Sequence, residues 1–93
     1  MYSVLTTSQF DRQVEKFRRK HPELRNRLAS VLRDLAQDPH QPHLRLHALH
    51  GELEGQHAVR LTYAYRITLT LRITEREITL LDIGDHDAVY RQR

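Results

Sequence analysis

Seven histidines and thirteen arginines carry most of the chemistry open to this 93-residue chain. Histidine moves protons near neutral pH, and arginine offers a planar fork of donors that matches phosphate oxygens at two points. There is no cysteine, which excludes a thiolate nucleophile, a thiolate metal site and a disulfide framework. Glycine-rich phosphate loops, serine-nucleophile motifs and close carboxylate pairs suited to glycosidases are also missing. The chemistry that remains is acid, base and cation acting on a polyanion. RNA carries its own nucleophile: its 2′-hydroxyl needs deprotonation, a proton for the departing 5′ oxygen, and positive charge against the transition state.

Three places in the chain could supply those groups. His86 follows Ile83-Gly84-Asp85 on the polar rim after the last apolar run, and Tyr90 comes about one helical turn later. They read either as a proton carrier with a base-stacking ring, or as the cap of a terminal turn with a tyrosine packed on the core. Arg66 begins an alternating run and reads either as a phosphate ligand beside a loop rim or as a strand arginine paired with a neighbouring carboxylate. His43, His47 and His50 are spaced four and three apart, which on a helix would gather them for zinc. Pro39, Pro42 and Gly51 argue against a helix there, and no cysteine or acidic ligand adjoins them, so no metal and no other cofactor is expected. One of them, set beside a sheet, would be a second acid–base group.

The elements that must position these groups follow from periodicity. Tyr2 to Leu5 is a short strand, and Thr7-Ser8-Gln9-Phe10-Asp11 reads as a helix start with an acid three places after Ser8. Phe10, Val14 and Phe17 form one apolar stripe, which His21-Pro22 ends. A second helix restarts at Pro22-Glu23, buries Leu24, Leu28, Val31, Leu32 and Leu35, and closes at Asp38-Pro39. A loop with one short strand near Leu44 to Leu49 follows. The period then changes to two: Val59, Leu61 and Tyr63 alternate with Arg60 and Thr62, and Ile67, Leu69, Leu71 and Ile73 alternate with Arg66, Thr68, Thr70 and Arg72. A tight reversal at Tyr63-Ala64-Tyr65 joins these strands, and Thr74 to Glu77 turns into a last strand, Ile78 to Ile83, which Gly84 ends. The expected class is α+β, an N-terminal helical hairpin packed on one face of a small, mainly antiparallel sheet of four to five strands. With Val59, Leu61, Ile67 and Leu69 facing the helices, Arg60, Thr62, Arg66, Thr68 and Thr70 share the other face, which no remaining element covers; it is expected to be open, polar and basic.

Composition sets the surroundings. Hydrophobic residues at 39% and charged residues at 29%, with clear periods, exclude a disordered tail, and residues 1–93 are read as one domain without linker or repeat. The net charge is only +3, but the arginine excess suits a polyanionic partner. The start lacks a signal peptide's basic and apolar regions and no run approaches membrane-spanning length, so the expected location is the cytoplasm, with no membrane partner.

Leu46-His47-Ala48-Leu49-His50-Gly51-Glu52-Leu53-Glu54-Gly55, then Tyr65-Arg66-Ile67, then Leu81-Asp82-Ile83-Gly84-Asp85-His86-Asp87-Ala88-Val89-Tyr90-Arg91, resemble the RelE/ParE superfamily of bacterial toxins, most closely its YafQ-like branch. The likeness spans nearly the whole chain in element order. It implies a RelE-like fold and an mRNA endonuclease, a metal-independent mRNA interferase that cuts translated messages in the ribosomal A site. It also implies a cognate antitoxin as partner, contact with mRNA and ribosomal RNA, and operator DNA bound only through the antitoxin complex. His47 and His86 match catalytic histidines of YafQ-like toxins, Tyr90 their C-terminal aromatic, and Arg66 the transition-state arginine of RelE-like members. His50, His57, Arg60 and Arg91 are expected to hold RNA. The chain departs from the YafQ-like pattern at Ala58, Arg60 and Ala64, where that branch carries acids and a further histidine, which leaves the general base open between His47 and His86. Two other readings stay open: a ParE-like inhibitor of DNA gyrase that cuts nothing, and an inactive homologue acting with its antitoxin as a transcriptional corepressor.

Overall fold

The computed structural model describes residues 1–85. Strand β1 (Ser3–Thr6) leads into helix α1 (Ser8–Lys20), a single 3₁₀ turn (Pro22–Leu24) and helix α2 (Arg25–Gln37). Strands β2 (His47–Ala48), β3 (His57–Arg60), β4 (Tyr65–Arg72) and β5 (Glu77–Asp85) follow, with further 3₁₀ turns at Pro42–Leu44 and Gly51–Leu53. The five strands form one sheet in the order β1-β5-β4-β3-β2. All neighbours are antiparallel except β1, which lies parallel to β5. The expected α+β class holds.

Both helices close on one face of this sheet. Phe10 and Phe17 of α1 and Leu28, Val31 and Leu35 of α2 share a single buried cluster with Val59, Leu61, Ile67, Leu69, Ile78, Leu80 and Ile83. Each fully buried leucine or isoleucine contributes about 2 kcal/mol from leaving water, so this face dominates the fold's stability. The α1 start differs from the sequence reading by one residue. The cap is Thr7, whose hydroxyl oxygen accepts from the Phe10 N–H at 3.1 Å, and Ser8 is the first helical residue. The Thr7 hydroxyl also donates to the Leu80 carbonyl at 3.0 Å, so one side chain caps the helix and fastens it to β5. The second helix is preceded by the Pro22–Leu24 3₁₀ turn, and its α-helical part begins only at Arg25.

Two further differences concern the last strand. Gly84 does not end it: the strand runs on to Asp85, and Gly84 pairs with Arg66. The register also slips between Thr68 and Leu69, because Thr68 faces Asp82 while Leu69 faces Leu80, leaving Leu81 as an extra residue in β5. Such a bulge bends the strand and redirects the residues beside it.

Candidate functional site

Arg60 and Arg66 stand directly opposite one another on β3 and β4. Their parity, opposite to that of buried Val59 and Ile67, puts both on the sheet face away from the helices. Like charges so placed repel unless their heads are drawn apart, and the β3–β4 turn does this. Nη1 of Arg66 donates to the carbonyls of Thr62 at 3.0 Å, Tyr65 at 3.3 Å and Tyr63 at 3.4 Å. The Arg60 guanidinium instead lies 6.0 Å from the centre of the Tyr63 ring. Across β5 the position opposite Arg66 is Gly84, which adds no side chain.

The next row on the same face runs His47, Ala58, Thr68, Asp82 across four strands. Nδ1 of His47 lies 2.9 Å from the Arg45 carbonyl. A carbonyl only accepts, so the neutral ring carries its proton on Nδ1 and Nε2 is the basic nitrogen. From sheet spacings the Cα atoms of His47 and Arg66 are roughly 12 Å apart, two strands across and two residues along.

This face is not open throughout, which corrects the expectation of a fully solvated surface. Ala58 is 0% and Thr68 3% exposed. Thr68 is on the central strand with a cross-strand neighbour on each side. Asp82 is buried as well, its Oδ1 accepting from the Ile83 N–H at 2.8 Å. Burial pushes the Asp82 carboxyl above the usual carboxylate range, and hydrogen bonds from the Ile83 N–H and the Gln9 side chain oppose that rise. Between the β3–β4 turn and the Thr68 row, accessible chemistry on this face is therefore concentrated at His47 and at the Arg60–Arg66 pair, while Arg72, at the far end of β4, is exposed but paired with Glu75 and Glu77.

The other expected residues are distributed differently. His57 lies opposite Leu69, with the parity of Val59, so it points toward the helices, and its Nδ1 is buried without a hydrogen-bond partner. His50 is exposed where the Gly51–Leu53 turn begins. His43 Nε2 meets Asp34 Oδ2 at 2.8 Å, so the three loop histidines engage three separate surroundings. His86, Tyr90 and Arg91 lie outside the described residues. Sequence reasoning missed Asp82, because alternation counted through β5 is shifted by the bulge, and it missed the Arg45 carbonyl that orients His47. Arg45 has φ 52°, a left-handed conformation uncommon for a side chain of its size and without a sequence signature here. At the far end of β5, Phe17, His21 and Tyr65 form a ring triangle with centroids 4.8 to 5.1 Å apart. With Lys16, Lys20 and Asp85 they line a cleft of about 400 Å³.

The architecture, two helices on one face of a five-stranded mixed sheet, is the RelE-like toxin fold. Among solved structures, the chain is similar to YafQ from E. coli strain BL21(DE3), with a TM-score of 0.79 over 97% of this chain and 99% of that one, at 16% identity. It is similar to a metal-bound toxin from Helicobacter pylori, with a TM-score of 0.78 over 96% and 99% at 22% identity. It also matches a chain of the E. coli DinJ–YafQ complex, with a TM-score of 0.70 over 97% and 99% at 15% identity. At these identities the likeness is one of fold. No protein-family description matches the chain, and neither does any curated protein.

Proposed function

We propose that this chain is the toxin of a bacterial type II toxin–antitoxin pair and an endoribonuclease that cleaves mRNA in the ribosomal A site. The observation that carries the reading is the Arg60–Arg66 pair with His47 one row away, on an accessible polar stretch of a RelE-like sheet face. In the reaction, the 2′-oxygen loses its proton to a histidine and attacks the adjacent phosphorus. The bond from phosphorus to the 5′ oxygen breaks as a second histidine returns a proton to that oxygen, leaving a 2′,3′-cyclic phosphate and a 5′-hydroxyl. His47, through Nε2, and His86 share these two roles. Arg66, whose Nη1 is committed to the turn, meets the phosphorane-like charge with its remaining N–H groups, and Arg60 assists. Tyr90 orients the scissile nucleotide, and His50 and Arg91 hold flanking RNA. His57, turned toward the helices, is left out of this surface.

The RelE-like fold supports the toxin role, and the similarity to a chain of the DinJ–YafQ complex supports a cognate antitoxin as partner. Operator DNA is then met only through the antitoxin complex. The chain acts in the cytoplasm, where the ribosomes are, and among the described residues no helix is long and apolar enough to cross a membrane. Expression in bacteria with mapping of RNA 5′ ends tests the reading. The expected result is growth arrest with new 5′-hydroxyl ends confined to translated frames, lost in His47→Ala and His86→Ala. Intact messages together with trapped gyrase–DNA complexes would place the chain in the other toxin activity.

A further inference from the structure

A second basic site lies on the β3 edge, beyond the end of short β2. Here α2, the Pro42–Leu44 turn and the β3–β4 turn enclose a cleft of about 340 Å³ bordered by Arg27, His43, Arg45, Arg60, Thr62 and Tyr63. Among the described residues no carboxylate lines it, and the Asp34 carboxylate beside it is engaged by His43 at 2.8 Å. Among the described residues, the side chains of Arg27 and Arg45 make no hydrogen bond or ion pair, and Arg60 contacts only the Tyr63 ring. Three guanidiniums thus converge on one cleft without a counter-charge, whereas Arg19 and Arg72 each meet a glutamate. Arg45 also holds the left-handed φ of 52°, a conformation that disfavours a residue with a Cβ. Unneutralised, converging forks are complementary to an anion with several oxygens.

The lip of the cleft narrows the choice. Tyr63 is 86% exposed, with the Arg60 guanidinium against its ring. An exposed aromatic ring beside phosphate-binding arginines is a stacking platform for an unpaired base. Val31 and Leu61 also line the cleft, but at 3% and 1% exposed they offer little of the apolar surface that the anchoring side chains of an acidic protein segment would need. We propose that this cleft is a nucleotide subsite for single-stranded RNA: Arg27, Arg45 and Arg60 hold a backbone phosphate, and Tyr63 stacks the attached base. Arg60 borders both the cleft and the Arg66 row, so the subsite takes a nucleotide of the same strand that is cut. The inference rests on the RNA-cleaving reading and adds where the strand goes beyond the cleavage centre.

The test uses a fluorescent 2′-O-methyl RNA hexamer, which binds but has no 2′-hydroxyl to react. Anisotropy titrations of the full chain are run at several salt concentrations, with circular dichroism to confirm folding of each variant. Arg27→Ala and Arg45→Ala are each expected to weaken binding about tenfold and to lower the salt slope by about 1. Tyr63→Ala weakens the hexamer about fivefold or more but leaves unchanged the NMR shifts that a parallel titration with inorganic phosphate induces in the cleft, and Tyr63→Phe restores the hexamer. Arg72→Ala removes the same charge from the distant glutamate-paired site and changes neither. If the Arg27 and Arg45 variants bind the hexamer like the wild type while message cleavage persists, the subsite is wrong and the cleavage reading stands. If the wild type binds no hexamer and cuts no message, both fall. Equal binding of polyglutamate, insensitive to Tyr63→Ala, would show a charge-only surface suited to an acidic protein and overturn the proposal.

Discussion

The Arg66 guanidinium donates to the Thr62 carbonyl at 3.0 Å, so the arginine proposed to meet the transition state also pins the turn that carries Tyr63. Two roles in one side chain give separable signatures. Arg66→Ala should abolish cleavage and also lower unfolding free energy by about 1–2 kcal/mol, the worth of charge-assisted bonds at a partly buried site. Arg66→Lys keeps the charge but cannot span three carbonyls, so it should recover part of the activity and little of the stability. Urea denaturation beside a cleavage assay reads both; a variant of full stability would remove the bracing role.

His47 is exposed, and a bond from Nδ1 to the Arg45 carbonyl orients its ring. His47→Ala should therefore leave stability within about 0.5 kcal/mol while slowing cleavage by about 100-fold or more, the usual contribution of one acid–base group. His47→Asn, which can keep the bond to the carbonyl but carries no proton near neutral pH, should be equally slow. Activity retained in His47→Asn would assign this side chain to RNA positioning only.

Asp82 gives a pH-dependent prediction. Burial raises its pKa in the folded chain, so the folded state binds its proton more tightly than the unfolded state does. The stability linked to this group is then fully present below the ordinary carboxylate range and is lost as pH rises through the raised value. Asp82→Asn cannot ionise, and its side-chain oxygen can still accept from the Ile83 N–H. Its stability relative to the wild type should therefore climb with pH across that window. Urea midpoints at a series of pH values check this, and a difference constant with pH would contradict it.

Thr7 joins the helix layer to the sheet. Thr7→Ala removes both the cap on Phe10 and the bond to Leu80 and should cost about 1–2 kcal/mol, while Thr7→Ser should cost much less. Equal losses for the two variants, measured by thermal or urea unfolding, would assign the effect to the methyl group instead.

The sequence was informative where a side chain's role depends on its own strand or helix. Alternation over 59–71 correctly put Arg60 and Arg66 on one face, and the 3.6-residue stripes of Phe10, Phe17, Leu28 and Leu35 correctly named the buried helix surfaces. Roles set by tertiary detail were not legible. The bulge at Leu81 comes from pairing between β4 and β5, so the face that Asp82 takes could not be counted from alternation. The resemblance puts His57 among the RNA-binding residues, although its own parity with Val59 puts it on the helix side. Arg27 and Arg45 come together with Arg60 only once α2 and the loop before β2 pack beside the turn, 32 residues of sequence lying between Arg27 and Arg60.

The central claim is that this chain cuts RNA with the side chains of one sheet face. The direct measurement is a reconstituted translation reaction with a 5′-labelled message and stalled ribosomes, comparing the wild type with Arg66→Ala, Arg66→Lys and His86→Ala. Cleavage at the A-site codon by the wild type, a 2′,3′-cyclic phosphate on the upstream product, and its loss in Arg66→Ala and His86→Ala is the predicted result. Message left whole by the wild type, or cut equally by the wild type and both alanine variants, would contradict it.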